Sequence, residues 1–158
     1  MDWSGCCRVP ESPVELALGL QAASDAVIAL VESITTEHWQ RVPAPGVWSI
    51  GKDVAHLAEA AAYHQWIVRR SIGEAVASRR PPIERAELTT GLTVEEAIDL
   101  LRERTRDGSE LLLALTEEQL ELPTKPARGR DERLARTIRK VLIGHYVAHL
   151  TEIEAKLR

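Results

Sequence analysis

Apolar residues recur along this chain at the three- and four-residue spacing of an amphipathic helix, and nowhere at the alternating spacing of a strand. Four long stretches carry the helical pattern, and the Asp107-Gly108 pair lies inside the third of them rather than between two strand patterns. They run from about Pro13 to Ile34, from Ser49 to Ile72, from Thr93 to Leu115 and from Glu132 to Leu157. The pattern predicts an all-α fold, a four-helix bundle.

Local signals mark where these helices begin and end. Ser12 and Ser49 stand where an N-cap is expected, and Thr93 with Glu96 forms the pattern of a capping box. Gly73 is well placed to end the second helix. In the first helix, the apolar stripe that we expect to face the core comprises Val14, Leu18, Val27, Leu30, Val31 and Ile34.

The connections after the first and third helices resemble each other. "SITTEHWQRVPAPGVWSI" and "LALTEEQLELPTKPARGRDER" each contain Thr-Glu, where we expect a short extra helix, followed by a loop with proline. This repetition is compatible with two related helix pairs, and equally with loops that use Pro and Gly for local reasons. Between the second and third helices, "ASRRPPIERAELTTGL" is long enough to cross the bundle.

Composition and charge restrict the class of protein. The chain has 158 residues, 44% of them apolar, and a net charge of −4, which is typical of one globular domain. We expect a flexible tail over residues 1–10 and the bundle over residues 11–158. Basic residues are spread along the sequence, which argues against nucleic-acid binding. No signal peptide is recognisable, and we expect no membrane span.

The two cysteines, Cys6 and Cys7, are neighbours near the start of the chain. Adjacent residues are poorly placed to bridge each other, and no third cysteine could serve as a partner. Because a disulfide framework is excluded, we expect a cytoplasmic protein.

His145 and His149 are the most informative polar residues. They are one helical turn apart, and on a helical wheel both fall in the middle of the apolar face of the last helix, with Glu152 at its edge. A buried imidazole needs partners for its ring nitrogens. The i, i+4 spacing also lets one helix offer two nitrogens to one metal ion, so a metal site and a structural role both remain open.

A third ligand would have to come from elsewhere. His38 lies in the connection after the first helix, whereas His56 and His64 both lie on the second helix. These two are eight residues apart, roughly 12 Å along the axis, so one ion cannot use both. The wheel places His64 at the edge of the apolar stripe and His56 on a flank, which slightly favours His64.

"VWSIGKDVAHLAEAAAYH", followed far downstream by "HYVAHLTEI", resembles the DinB/YfiT-like superfamily of metalloenzymes. The recurring features are Trp-Ser before the second helix, a histidine within it and a His-x-x-x-His pair on the last helix. The resemblance covers about residues 11–158. It implies an up-down-down-up bundle with a long second connection, often dimeric, in which three histidines hold a divalent metal. The matching positions are Trp48, Ser49, His56, His145 and His149.

The resemblance therefore selects His56 over His64 as the third ligand. Members often carry Asp and Gln where this chain has Tyr146 and Glu152. Neither position is a ligand, but both lie beside one, so the specific reaction stays open.

Several functions are compatible with this resemblance. It implies a divalent ion, Zn or Ni, and a metal-dependent S-transferase or isomerase that acts on a small-molecule substrate with a low-molecular-weight thiol. Glu152 and Tyr63 are candidate bases, and no catalytic residue is assigned. One alternative is a non-catalytic, stress-related metal-binding bundle that acts through protein partners, and another is a metal-dependent hydrolase. A cytoplasmic homodimer that contacts neither nucleic acid nor membrane is expected.

Overall fold

The computed structural model describes residues 11–77, 91–125 and 132–158. Within these ranges all regular structure is helical, apart from an isolated bridge between Pro123 and Arg133. The all-α prediction is thus confirmed. The helices are α1 (Pro13–Glu32), α2 (Thr36–Gln40), α3 (Ile50–Ser71), α4 (Val94–Leu113), α5 (Glu117–Leu120), α6 (Leu134–Thr137) and α7 (Gly144–Lys156), with a π-helical segment (Ile138–Ile143) between α6 and α7.

The predicted caps are confirmed. The Ser12 side chain accepts a hydrogen bond from the Glu15 amide, and Ser49 does the same for the Lys52 amide at the start of α3. Thr93 and Glu96 form a complete capping box at the start of α4. The two short extra helices are also present as α2 and α5, capped by Thr35 and Thr116, and a left-handed glycine follows α3 (Gly73, φ +85°).

Four long helical elements form the bundle, in which α4 packs on α1 and α3, and α7 packs on α1 and α3 from the other side. The Glu32–Arg102 ion pair and the Ser24–Thr105 hydrogen bond show that α1 and α4 run antiparallel. The Asp53–Lys156 ion pair joins the start of α3 to the end of α7, so these two helices are antiparallel as well.

Helices α3 and α4 run in the same direction. At their starts, the Trp39 indole N–H donates to the Leu92 carbonyl and its ring lies against Gly51. Further along, the Gln65 amide donates to the Arg104 carbonyl. A Cβ at Gly108 would lie 2.8 Å from Leu20 Cδ2, so glycine allows α1, α3 and α4 to approach closely there without ending α4.

The predicted core stripe of α1 was partly wrong. Val14 and Leu18 are 55% and 64% exposed, whereas Leu16 and Leu20 are almost fully buried. The reason is that α1 is apolar on nearly every side, with a mean hydropathy of 1.6 over its most apolar window, so a wheel cannot choose between faces. We expected no stretch apolar enough to span a membrane, but α1 is long and apolar enough by length and composition alone. The core helix of a bundle meets the same two criteria.

The spacing predicted one uniform α-helix for the last long helix, and that prediction was wrong. It widens to a π-helix over Ile138–Ile143, and the Gly144 amide donates to the Arg139 carbonyl five residues earlier. Core residues recur at every fourth position here. In an α-helix, with 3.6 residues per turn, side chains at this spacing move gradually around the helix, whereas the wider turn of a π-helix keeps them on one face. The segment thereby sets the rotation of α7. The residues in this series are Leu134, Ile138, Leu142 and Tyr146, all buried.

Some predictions concern parts of the chain outside the described residues. These are the tail over residues 1–10, including Cys6 and Cys7, and most of the connection between α3 and α4, residues 78–90.

Candidate metal site

Three of the histidines come together between α3 and α7. One possible ligand atom from each of His56, His145 and His149 lies within 4.8 Å of the other two. The ring centroids of His145 and His149 are 4.6 Å apart, and each is 5.3 Å from that of His56. The sequence-predicted ligand set is therefore one spatial cluster, built by one turn of α7 and the first half of α3.

Two ring nitrogens of this cluster lack a hydrogen bond. His145 Nε2 and His149 Nδ1 are both buried, and no described residue provides either with a hydrogen-bond partner. Leaving a buried polar atom unsatisfied costs about 1–3 kcal/mol, which native proteins rarely accept without compensation. A bound cation would supply the missing interaction at His145 Nε2, and His56 and His149 lie close enough to share it, so the donor set fits a metal ion.

The surroundings keep the imidazoles of His145 and His56 neutral. Burial lowers the pKa of His145 to about 3, with further lowering by the neighbouring His149, His64 and His56. Burial also lowers the pKa of His56, as does His149, whereas Glu152 opposes the change. Neutral imidazole carries the free lone pair that a metal needs, so at neutral pH neither side chain must lose a proton before binding.

His64 lies beside the cluster but does not belong to the group of three. Its ring centroid is 5.3 Å from that of His145. Its pKa is lowered to about 4, chiefly by burial and then by His56. Of the two histidines on α3, the structure thus brings His56 into the cluster, against the preference of the wheel. His38 lies on α2 and is not part of the cluster. Its Nδ1 lies 3.0 Å from the hydroxyl of Thr35, the residue that caps α2.

Two carboxylates adjoin the cluster on the side of His149. Asp53, His149 and Glu152 form a second group whose possible ligand atoms lie within 4.8 Å of one another. Asp53 is buried and paired with the Lys156 ammonium; burial raises the pKa of Asp53 and Lys156 opposes this. Sequence reasoning overlooked Asp53, although its position three residues before His56 on α3 places it on the same side of the helix.

An aromatic residue connects the cluster to the surface. The Trp48 ring meets His56 edge-on, with centroids 5.1 Å apart, and Trp48 is 37% exposed. The Lys52 ammonium lies 4.8 Å from the centroid of the Trp48 ring. The cluster is therefore bordered, on the side of His56, by a partly exposed aromatic ring and a positive charge.

Comparison with known proteins places this arrangement in a family. The sequence matches the profile of the DinB superfamily over residues 20–153, well over half of the chain and inclusive of all three clustered histidines. The chain belongs to the DinB superfamily. Among curated proteins, no sequence matches this DinB-superfamily chain.

A solved structure supports the fold of this DinB-superfamily protein independently. This chain is similar to a crystal structure of a Streptococcus pneumoniae protein determined as a structural-genomics target, with a TM-score of 0.68. The similarity covers 94% of this chain and 91% of the other, at 16% sequence identity. At that identity the likeness extends to the fold alone.

Proposed function

We propose that this DinB-superfamily protein is a divalent-metal-dependent enzyme whose ion is held by His56, His145 and His149. The observation that carries the proposal is the cluster of three histidines, in which the buried Nε2 of His145 lacks a hydrogen-bond partner. Nitrogens that share one tetrahedral zinc ion at about 2 Å lie roughly 3.3 Å apart. Separations within 4.8 Å can reach that value by small changes in side-chain torsions.

The ligand set suits catalysis better than a purely structural role. Structural zinc sites are usually closed by four protein ligands, whereas three histidines leave a coordination position for a small molecule. Imidazole accepts Zn²⁺ and Ni²⁺ equally well, so both ions are proposed. Because the three ligands are neutral, the full charge of the ion remains available to attract an anion.

The reaction that we propose is S-transfer or isomerisation with a low-molecular-weight thiol. A bound divalent ion supplies thiol activation, since it favours the thiolate at neutral pH. Trp48 would then hold an apolar electrophile near His56, while the Lys52 ammonium favours an anionic group on either substrate. The choice of a thiol reaction rests on the family resemblance, and the metal cluster is compatible with it.

Spectroscopy of the metal-loaded protein tests this function. We expect that Ni²⁺- or Co²⁺-loaded protein develops thiolate-to-metal charge-transfer absorption when a small thiol such as cysteine is added. The same mixture should consume thiol faster when an aromatic electrophile is present. His145→Ala should lose both signals, whereas His64→Ala, which changes a neighbour outside the ligand group, should retain them.

Two outcomes would contradict the proposal. Loaded protein that binds no thiol, yet hydrolyses esters, would support a metal-dependent hydrolase instead. Loaded protein that shows neither thiol binding nor any turnover would support a binding role for the bundle.

A further inference from the structure

Glu152 has an unusual place beside the proposed metal ligands. Its Oε2 lies 3.2 Å from His149 Nδ1, one of the two buried nitrogens without a hydrogen bond. The distance is within hydrogen-bond range, but the contact does not meet the full geometry of a hydrogen bond. The Glu152 side chain is 58% exposed, and the terminal torsion of a glutamate rotates easily, so the carboxylate can adjust its orientation toward Nδ1.

The other carboxylate near His149 is already engaged. Asp53 is buried, and its Oδ2 is bound to the Lys156 ammonium, so its charge is already paired with a cation. In the part of the chain that the structure describes, His149 is the one ion-pair partner found for Glu152. Glu152 is therefore the acceptor best placed to serve His149 Nδ1.

We propose that Glu152 is a positioning residue, whose carboxylate accepts the Nδ1 proton of His149 and thereby leaves Nε2 free to ligate the metal. A neutral imidazole has one protonated nitrogen, and the hydrogen bond made at one nitrogen decides which one carries the lone pair. Carboxylates that hold ligating histidines in this way also make them better ligands. This inference rests on the proposed three-histidine metal site.

The first test needs no metal. In ¹⁵N-labelled, metal-free protein at one neutral pH, long-range ¹H–¹⁵N spectra distinguish the Nδ1–H from the Nε2–H tautomer of His149. We expect Nδ1–H in the native protein and in Glu152→Gln, whose amide oxygen can still accept. In Glu152→Ala we expect a shift toward Nε2–H. Glu154→Gln is the matched control, because it removes a carboxylate from an exposed position of the same helix, and it should change nothing.

The second test is zinc affinity, measured by competition with a chromophoric chelator. Loss of a partner that orients a ligating histidine weakens metal binding by about 10–100-fold, so we expect that loss in Glu152→Ala. Glu152→Gln should lose less, and Glu154→Gln should match the native protein. Because Glu152 is exposed, none of these changes threatens folding.

The outcomes separate this inference from the proposed function. Nε2–H in the native protein, or a tautomer and an affinity that Glu152→Ala leaves unchanged, would overturn the role of Glu152. If the native protein binds no zinc while Glu152→Ala still shifts the tautomer, the contact with His149 is supported and the metal site is refuted.

Discussion

The rings of His56 and His149 lie 5.3 Å apart, although one residue belongs to α3 and the other to the last helix of the chain. Their proximity depends on the antiparallel packing of α3 and α7. The ion pair between Asp53 and Lys156 fixes that packing at the end of the bundle nearest the site. Register between two helices thus adds His56 to the local pair of His145 and His149.

Metal binding should stabilise the folded protein. An ion that binds only the native state at about 100 times its dissociation constant adds about 2.7 kcal/mol, which for a domain of this size raises Tm by roughly 5–10 °C. We expect Zn²⁺ to raise the Tm of metal-free protein accordingly and a chelator to reverse the change. Calorimetry of His145→Ala provides the control, because this variant should melt at one temperature with or without the ion.

The buried ion pair of Lys156 should be important for stability. Lys156→Met leaves the buried carboxylate of Asp53 without a cation, and loss of one partner of such a pair costs roughly 3 kcal/mol. Urea unfolding should show this loss, and Lys156→Arg should recover most of it. Lys140→Met is the control: Lys140 is exposed and pairs with Glu132 at the surface, so its loss should cost less than about 1 kcal/mol. Equal losses in both methionine variants would argue against this role.

A buried hydroxyl cluster should specify how α1, α4 and α7 meet. The Thr105 hydroxyl donates to Ser24 over 2.7 Å and lies 3.5 Å from the Tyr146 hydroxyl. Thr105→Val keeps the shape but removes the hydroxyl, so we expect a loss of about 1–3 kcal/mol in unfolding free energy. The exposed Thr151→Val is the matched control, and we expect about 0.5 kcal/mol or less. A neutral Thr105→Val would show that the cluster contributes no net stability.

Much of the fold could be predicted from the sequence because the signals are local. Ser12, Ser49 and Thr93 are N-caps within one turn of the groups that they bind, so their positions fix where three helices start. The pair His145 and His149 was likewise visible from spacing within one helix. The exposed face of α1 could not be predicted from spacing, because apolar residues occur on nearly every side of this helix.

The remainder of the site depends on packing that periodicity does not record. A wheel drawn at 100° per residue favours His64, whereas the family resemblance selects His56, the residue found in the cluster. The four-residue spacing of apolar side chains before Tyr146 does not by itself predict a π-helix over Ile138–Ile143, and this segment turns Tyr146 into the core. The spacing of Asp53 and His56 puts both on one side of α3, but only the packing of α7 brings Lys156 to Asp53.

The metal content of purified protein tests the central claim most directly. Untagged protein, reconstituted with Zn²⁺ or Ni²⁺ and passed through a desalting column, should retain near one equivalent of metal by elemental analysis. His56→Ala and His145→Ala should lose it, while His64→Ala should keep it, with helical content checked by circular dichroism in each case. Native protein that retains no metal, or a loss in His64→Ala with retention in His56→Ala, would contradict the three-histidine site.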